Sequence, residues 1–233
     1  EEDSVALDLP VRVKGNAVLD IAVIQIPHIS NFDDFDPLAQ ESGVTLRYVD
    51  AQTDLGRPDL IILPGTKTTI PDLAWMDRQG LTQAVIEAHG NGTALIGICG
   101  GYQMLGKEVR DPDGVESTQA QISGLRLLPM TTIFAGSKET HRVTGKVALN
   151  SGLLAGAKGL PVQGYEIHMG RTAVEGVGVP FAIDDRSDLP VNQDNALDGS
   201  LDSSGWVLGT YIHGLFHNGG LRRAMLQALA RRK

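Results

Sequence analysis

A single cysteine stands at the end of an apolar run, between glycines. Residues 93–98 read TALIGI, and Cys99 is followed by Gly100, Gly101 and the helix-like segment YQMLGKEV. A strand that turns sharply into a helix at such a residue has the form of a nucleophile elbow, with Cys in place of Ser. The turn would put the thiol at the carboxyl end of a sheet and near a helix N-terminus, which favours the thiolate. The pattern predicts a cysteine nucleophile, and the alternative is an inert buried thiol.

A cysteine nucleophile needs a base, and histidine is the usual one. His213 follows the apolar run WVLGTYI (206–212) and precedes a glycine, so we expect it at a strand's carboxyl end, on the same edge as Cys99. His168, in QGYEIHMG, is a second candidate that spacing leaves open, and a structural role is the alternative for both. The other histidines considered are predicted to cap a helix or to lie on the surface or in the core: His28, His89 and His141.

Two further loops could contribute to a site. LPGTKTT (63–69) follows another apolar run, and a glycine-rich loop after a strand offers backbone N–H groups to an oxyanion. It is not a phosphate loop, because the chain has no G-x-x-x-x-G-K-[ST] pattern. ISNFDDFDPL (29–38) holds three aspartates, which could bind a metal ion. We expect them instead to be solvated acids that cap a helix, with no metal site.

The elements that must position these residues follow from periodicity. Short apolar runs predict parallel strands buried on both faces at 20–26, 44–49, 59–63 and 93–98. Helices are predicted at 33–42, 71–89 and 219–232. The second half predicts further strands at 121–135, 139–149, 162–169 and 206–212, and an exposed loop over 184–205. The expected fold class is α/β, with an open, mostly parallel sheet flanked by helices and added antiparallel strands in the second half.

Composition excludes several classes of function. The chain has 233 residues and a net charge of −8, which argues against nucleic-acid binding and against a polybasic membrane patch. No apolar run approaches the ~20 residues of a membrane span. One cysteine excludes an intrachain disulfide and fits a reducing cytoplasm. The acidic opening EEDSVALD, without an initiating Met, suggests a piece of a longer protein.

Taken together, ILPGT, GICGGYQML and the pattern G-x-Y-x-H-G-x-F (209–216) resemble class I (triad-type) glutamine amidotransferase domains. ISNFDDFDPL, LPGTKTTIPDL (63–73) and GYEIHMGRT (164–172) narrow the resemblance to the glutaminase domains of the corrinoid amidases of cobalamin biosynthesis. They favour the subfamily that converts adenosylcobyrinic acid a,c-diamide into cobyric acid. The alternatives are the sibling subfamily that makes the a,c-diamide, a free-standing cysteine hydrolase, and a degenerate domain that only binds a partner.

The resemblance implies a flavodoxin-like fold and the hydrolysis of glutamine to glutamate and ammonia. It implies that the ammonia passes to an N-terminal synthetase domain, which uses ATP and Mg²⁺ to amidate a bound corrinoid acceptor. Residues 1–18 would be a linker or the tail of that synthetase domain, and residues 19–233 the amidotransferase domain. The resemblance implies no cofactor for the amidotransferase domain itself.

The resemblance also implies roles for individual residues. Cys99 matches the nucleophile, His213 the base and acid, and the N–H groups of Gly65 and Gly100 the oxyanion hole. Leu215 stands where most triad enzymes carry a Glu that orients the histidine, which predicts a Cys–His dyad whose imidazole is held by another acceptor or a backbone carbonyl. Three more residues would border the glutamine pocket: Gln103, Glu166 and His168.

Overall fold

Two β-sheets form the framework of the protein in a computed structural model that describes residues 19–192 and 195–233. The predicted linker or synthetase tail, residues 1–18, lies outside the described residues. The strands in chain order are β1 (Leu19–Ile24), β2 (Val44–Val49), β3 (Leu60–Leu63), β4 (Ala94–Ile98), β5 (Glu108–Arg110), β6 (Gln121–Ser123), β7 (Met130–Val147), β8 (Pro161–Val174), β9 (Phe181–Arg186), β10 (Leu197–Asp198), β11 (Ser200–Leu201), β12 (Val207–Thr210) and β13 (Ile212–His213).

The helices are short except the last. They are α1 (Asp36–Ala39), α2 (Gln52–Leu55), α3 (Thr69–Arg78), α4 (Leu81–Gly90), α5 (Gly100–Met104) and α6 (Gly219–Arg232). Single 3₁₀ turns cover Phe32–Phe35, Gly152–Leu154 and Leu215–His217. Within the described part of the chain, no helix has both the length and the apolar character needed to cross a membrane.

The first sheet has the order β11-β12-β4-β3-β1-β2 and is parallel except for β11. Strands β3 and β4 are buried along their whole length, because helices cover both faces of a parallel sheet. β4 lies between β3 and β12, so the loops that follow these three strands meet at one edge. The predicted site residues that follow these strands, Cys99, the glycine loop 63–69 and His213, are therefore expected at that edge.

The second sheet is mostly antiparallel. It has the path β10-β9-β7-β5-β6, with β8 paired to β7 and β13 paired to β8. Only Tyr211 separates β12 of the first sheet from β13 of the second, so the chain crosses between the sheets directly before His213. The expected α/β class with added antiparallel strands is therefore confirmed, and the added antiparallel strands form a second sheet, except β11, which pairs with β12 in the first.

Two predicted helices and two predicted strands differ from the structure. The helix over 71–89 is two helices, because Gly80 has a φ of +71° and ends the regular helix between α3 and α4. The helix over 33–42 is one 3₁₀ turn followed by the single turn α1. The strands over 121–135 and 139–149 are instead β6 and the long strand β7, since a bulge lets β7 continue past its irregular stretch.

The expected exposed loop over 184–205 is wrong for much of its length. β9 ends inside it, and β10 and β11 follow. Asp198, Ser200 and Leu201 are buried there, and Asp198 accepts a hydrogen bond from the Thr210 hydroxyl at the end of β12. The sequence pattern missed these strands because they contain polar residues, which usually indicate a loop. The partners that satisfy these residues lie across the sheet and are distant in the chain.

Gly101 offers a test of how tightly the elbow after β4 packs. An added Cβ at this buried position would lie 2.0 Å from the carbonyl oxygen of Leu63, a backbone atom that cannot swing away. We expect Gly101→Ala to destabilise the fold by about 3 kcal/mol or more, as overpacking of a rigid site does. Chemical denaturation measures the change.

Gly90→Ala is the matched control. Gly90 is the last residue of α4, and a Cβ there meets nothing within 4 Å. Its replacement should leave stability unchanged or raise it by up to about 1 kcal/mol, since Gly is a poorer helix former than Ala. Equal effects of the two substitutions would contradict the packing argument.

Candidate active site

The predicted elbow is present at Cys99. The residue has a φ of 52° and a ψ of −110°, between the end of β4 and the start of α5. Its N–H donates to the carbonyl of Thr210 (2.8 Å), and its carbonyl accepts from the N–H of Gln103 (3.1 Å). These bonds hold a backbone conformation that non-glycine residues seldom adopt, a kind of strain that clusters at functional sites.

The glycine loop after β3 lies directly against the elbow and the imidazole. A Cβ on Gly100 would meet the Thr66 methyl at 2.4 Å, and one on Gly65 would meet Cε1 of His213 at 2.7 Å. The structure therefore brings together four of the predicted residues: Cys99, Gly100, Gly65 and His213. Only glycine at position 65 leaves room for the histidine ring.

A second segment fixes this glycine loop from outside. Ser30 donates its N–H to the carbonyl of Gly65 (2.9 Å), and Ile29 and Thr66 form an antiparallel bridge. Asp72, fully buried in α3, accepts hydrogen bonds from the Thr66 hydroxyl and from Nδ1 of His28 (2.8 Å). The loop is thus held from two sides, which keeps its backbone N–H groups in place.

Asp34 supplies the acceptor that sequence reasoning could not name. One carboxylate oxygen accepts from Nδ1 of His213 at 2.7 Å, and the other accepts from the N–H of Gly214 at 2.6 Å. Asp34 and His213 are each 1% exposed. The expectation of solvated acids is therefore wrong for Asp34, and the arrangement is a Cys–His–Asp triad rather than a dyad. Leu215, at the position of the usual Glu, is fully buried in apolar surroundings.

The sequence carried only a weak signal for Asp34. Asp33 and Asp34 are adjacent, and both lie in the 3₁₀ turn Phe32–Phe35. Asp33 is exposed and Asp34 is buried beside Phe35. The absence of Glu at position 215 could have prompted a search for an acid elsewhere, but no local pattern separates the two aspartates.

The electrostatics of His213 follow from its two partners. Burial lowers the pKa of the imidazole, but hydrogen bonds to Asp34 and Cys99, and the charges of these groups, raise it to about 10. The imidazole is therefore protonated at neutral pH, with Nδ1–H directed to Asp34 and Nε2 left for the sulfur. An imidazolium is the partner that a cysteine nucleophile needs, because it can pair with a thiolate and later donate its proton.

Tyr165 of β8 covers the face of the imidazole. The two rings are stacked with centroids 5.2 Å apart and planes 13° apart. The Tyr165 hydroxyl accepts a hydrogen bond from the Asn31 side chain (2.8 Å), which ties β8 to the segment that carries Asp34. Asp34 thus holds the ring in its plane, and Tyr165 holds it from one side.

The three residues expected near the glutamine pocket have partners within the protein. Gln103 donates to the carbonyl of Met169 (3.1 Å) and to the Tyr211 hydroxyl (3.2 Å), and it accepts from Thr69 (2.9 Å). Glu166 forms two hydrogen bonds of 2.9 Å with Arg186, and His168 stacks on Tyr211 with centroids 3.9 Å apart. Neither pair involves the cysteine, and both line a cavity of about 340 Å³ with Asp198.

The thiol itself is covered. Cys99 is 6% exposed, and its Sγ donates to the carbonyl of Ile167 in β8 at 3.2 Å. A neighbouring cavity of about 920 Å³ is lined by Asp34, Tyr165, Ile167 and Gly214, but not by Cys99. Among the described residues, no group of three His, Cys, Asp or Glu side chains is arranged to hold a metal ion.

Comparison with known proteins agrees with this geometry. Residues 20–221 match the model of the CobB/CobQ-like glutamine amidotransferase domain. The chain belongs to this family. Its similar relatives include the cobyric acid synthase of Moorella thermoacetica, 50% identical over 234 residues, and that of Dehalococcoides mccartyi, 46% identical over 233 residues. Each match covers 100% of the chain but only 45% and 46% of the relative, so the chain spans about half the length of these proteins.

Solved structures support the same fold for this amidotransferase domain. PurLQS from Thermotoga maritima matches with a TM-score of 0.67 and 21% identity, over 90% of this chain and 98% of that one. A glutamine amidotransferase from the same organism matches with a TM-score of 0.60 and 13% identity, over 91% and 98% of the two chains. At these identities the likeness concerns the fold alone.

Asp34→Asn tests the third member of the triad. Asp34 accepts from both His213 and Gly214, so an amide there must turn its NH₂ group toward one of two donors. We expect glutamate release from glutamine to fall by about 10²- to 10⁴-fold, the upper value being the loss in a serine protease with the equivalent change. Asp33→Asn, at the exposed neighbour, should keep nearly full activity. Equal activity of the two variants would exclude the assigned role.

The raised pKa of His213 predicts a pH dependence of stability. The folded value of about 10 lies above the ordinary 6.5, so the protonated ring stabilises the native state fully below pH 6.5, and this stabilisation is lost as the pH rises through 10. The unfolding free energy of the unaltered domain should exceed that of His213→Gln more at pH 6.5 than at pH 10. Denaturant titrations at both values measure the difference, and a pH-independent gap would show the prediction to be wrong.

Proposed function

We propose that this domain hydrolyses glutamine to glutamate and ammonia through Cys99, His213 and Asp34. The observation that carries the proposal is the buried Asp34–His213 bond beside the cysteine elbow. A Cys–His–Asp triad supplies the nucleophile and the base, and N–H groups of the neighbouring glycine loop can stabilise an oxyanion. These are the groups that acyl transfer from an amide requires. Membership in the amidotransferase family supports glutamine as the donor.

In the first half of the reaction, the Cys99 thiolate attacks the side-chain carbonyl carbon of glutamine. The developing oxyanion would be stabilised by the N–H groups of Gly65, in the loop after β3, and of Gly100, at the start of α5 directly after Cys99. His213, protonated at neutral pH, gives its Nε2 proton to the departing nitrogen. Ammonia leaves, and a γ-glutamyl thioester on Cys99 remains.

In the second half, the neutral imidazole takes a proton from water. The hydroxide attacks the thioester carbonyl, the C–S bond breaks, and glutamate leaves while Cys99 returns as the thiolate. Asp34 stabilises the imidazolium at each stage and keeps the Nδ1–H tautomer. Its carboxylate does the work of the Glu that Leu215 replaces, from a different part of the chain.

The destination of the ammonia belongs to a part of the protein beyond these residues. The relatives named cobyric acid synthase are about twice the length of this chain. We infer an N-terminal synthetase half that uses ATP and Mg²⁺ to amidate peripheral carboxylates of adenosylcobyrinic acid a,c-diamide. The shared name of these relatives favours this acceptor over the substrate of the a,c-diamide-forming sibling. The intact triad argues against a degenerate, non-catalytic domain.

The direct test is glutamate release from glutamine by the purified domain, alone and mixed with a separately expressed synthetase half. We expect measurable release alone, faster release with the partner half, and loss of both in Cys99→Ala and His213→Ala. A glutamine-analogue electrophile should label Cys99 in a mass spectrum. Release that survives Cys99→Ala would overturn the proposal.

A further inference from the structure

We propose that residues 166–170 of β8, here called the strap, cover the Cys99 thiol until glutamine binds. We further propose that Glu166 and Arg186 are positioning residues that hold the strap closed. The inference rests on the proposed function, because it assigns the strap to the access of glutamine to Cys99. It concerns how the site is kept at rest rather than how the bond is cleaved.

The closing contact is the hydrogen bond from Cys99 Sγ to the carbonyl of Ile167, at 3.2 Å. A carbonyl oxygen can accept from a thiol, but it repels a thiolate, so this contact stabilises the neutral, unreactive form of the sulfur. His213 acts in the opposite direction, because its partners favour the imidazolium that pairs with a thiolate. The carbonyl also occupies the approach to a sulfur that is 6% exposed.

The Glu166–Arg186 pair anchors one end of the strap. The guanidinium donates through Nε and Nη2 to both carboxylate oxygens at 2.9 Å, and the side chains are 3% and 8% exposed. Glu166 directly precedes Ile167, so the direction of this pair sets where the Ile167 carbonyl lies. A buried bidentate pair is costly to break by removing one partner, which makes it a firm anchor.

Two contacts hold the middle of the strap. The carbonyl of Met169 accepts from the Gln103 side chain (3.1 Å), and the His168 ring stacks on Tyr211. Tyr211 in turn receives a hydrogen bond from the same Gln103 (3.2 Å). The strap therefore contacts Gln103 of α5, which directly follows Cys99, and Tyr211, which lies two residues before His213.

The strap has a strand neighbour along one side only. β13 pairs with β8 at Tyr165 and Glu166, so among the described residues Ile167 to Gly170 have no strand partner on that side. On the other side, residues 166–169 pair regularly with β7, and the register shifts only beyond them, at Gly170. Gly170, at the far end of the strap, has a φ of +91°, which glycine adopts without strain. A firm anchor at one end and a glycine at the other would let this part of β8, together with the β7 residues paired to it, turn away from the sulfur.

The experiment measures alkylation of Cys99 by iodoacetamide, followed by mass spectrometry, in the absence of glutamine. In the unaltered domain the rate should be at least ~100 times slower than in the urea-unfolded chain, as expected when reaction requires local opening. The double variant Glu166→Gln with Arg186→Gln removes both charges and leaves neither one buried alone. Its Cys99 should react ~10 times faster than that of the unaltered domain.

The matched control is the double variant Lys107→Gln with Glu175→Gln. This pair is exposed (3.2 Å, side chains 50% and 79% exposed), and Glu175 lies just beyond the end of β8. The control should alkylate at the rate of the unaltered domain, and thermal melts should find all the compared proteins folded at the assay temperature. If the Glu166–Arg186 double variant does not fold, Glu166→Asp takes its place, because it keeps both charges but shortens the anchor; its Cys99 should also react faster than that of the unaltered domain.

Native alkylation as fast as in urea, or no acceleration in a folded Glu166–Arg186 variant, would overturn the strap. The assay uses no glutamine, so its outcome is separate from the proposed function. If alkylation follows the expected pattern but glutamate release is absent, the proposed function is wrong and the strap proposal is supported. If release is normal but Cys99 is not protected from alkylation, the strap proposal is wrong and the proposed function is supported.

Discussion

The buried hydrogen bond between Asp34 and His213 is the contact on which this site depends. It joins residues 179 positions apart, one in the turn after β1 and the other at the end of β13. An imidazole buried without a partner would lose its proton and its orientation. With the carboxylate on Nδ1, the ring keeps one tautomer, and Nε2 faces the sulfur. The same carboxylate also accepts from Gly214, so it fixes the backbone that carries the histidine.

The strand order of the first sheet and the crossing of the chain to the second sheet bring Asp34 and His213 together. β4, β3 and β12 are neighbours in the first sheet, so the cysteine elbow, the glycine loop and the chain before His213 meet at one edge. Crossing to the second sheet at Tyr211 then turns His213 back over that edge. Glycines at 65 and 100 allow these segments to approach within contacts that any side chain would block. Packing of the backbone thus positions the chemistry.

The active site contains opposing influences on one sulfur atom. The carboxylate of Asp34 keeps His213 protonated, and this imidazolium is the partner of a thiolate, while the carbonyl of Ile167 accepts a hydrogen bond from the thiol and covers it. Under the proposed function, such opposition would limit the hydrolysis of glutamine when no acceptor for the ammonia is present. The Glu166–Arg186 pair connects the strand that covers the sulfur, β8, with β9. The two strands lie on opposite sides of β7.

Local patterns in the sequence were sufficient to predict the elbow at Cys99 and the parallel strands, because each depends on residues adjacent in the chain. Spacing left His213 and His168 both open as the base, and the family resemblance selected His213 and the glycine loop. An apolar run followed by a glycine-flanked cysteine can do little else than turn from strand to helix. The sequence could not separate Asp34 from Asp33, reveal β10 and β11 in a polar segment, or place Glu166 opposite Arg186. These features were decided by the tertiary structure, since burial and long-range pairing depend on which distant segments meet, and a charge is stable inside a protein only where its partner arrives.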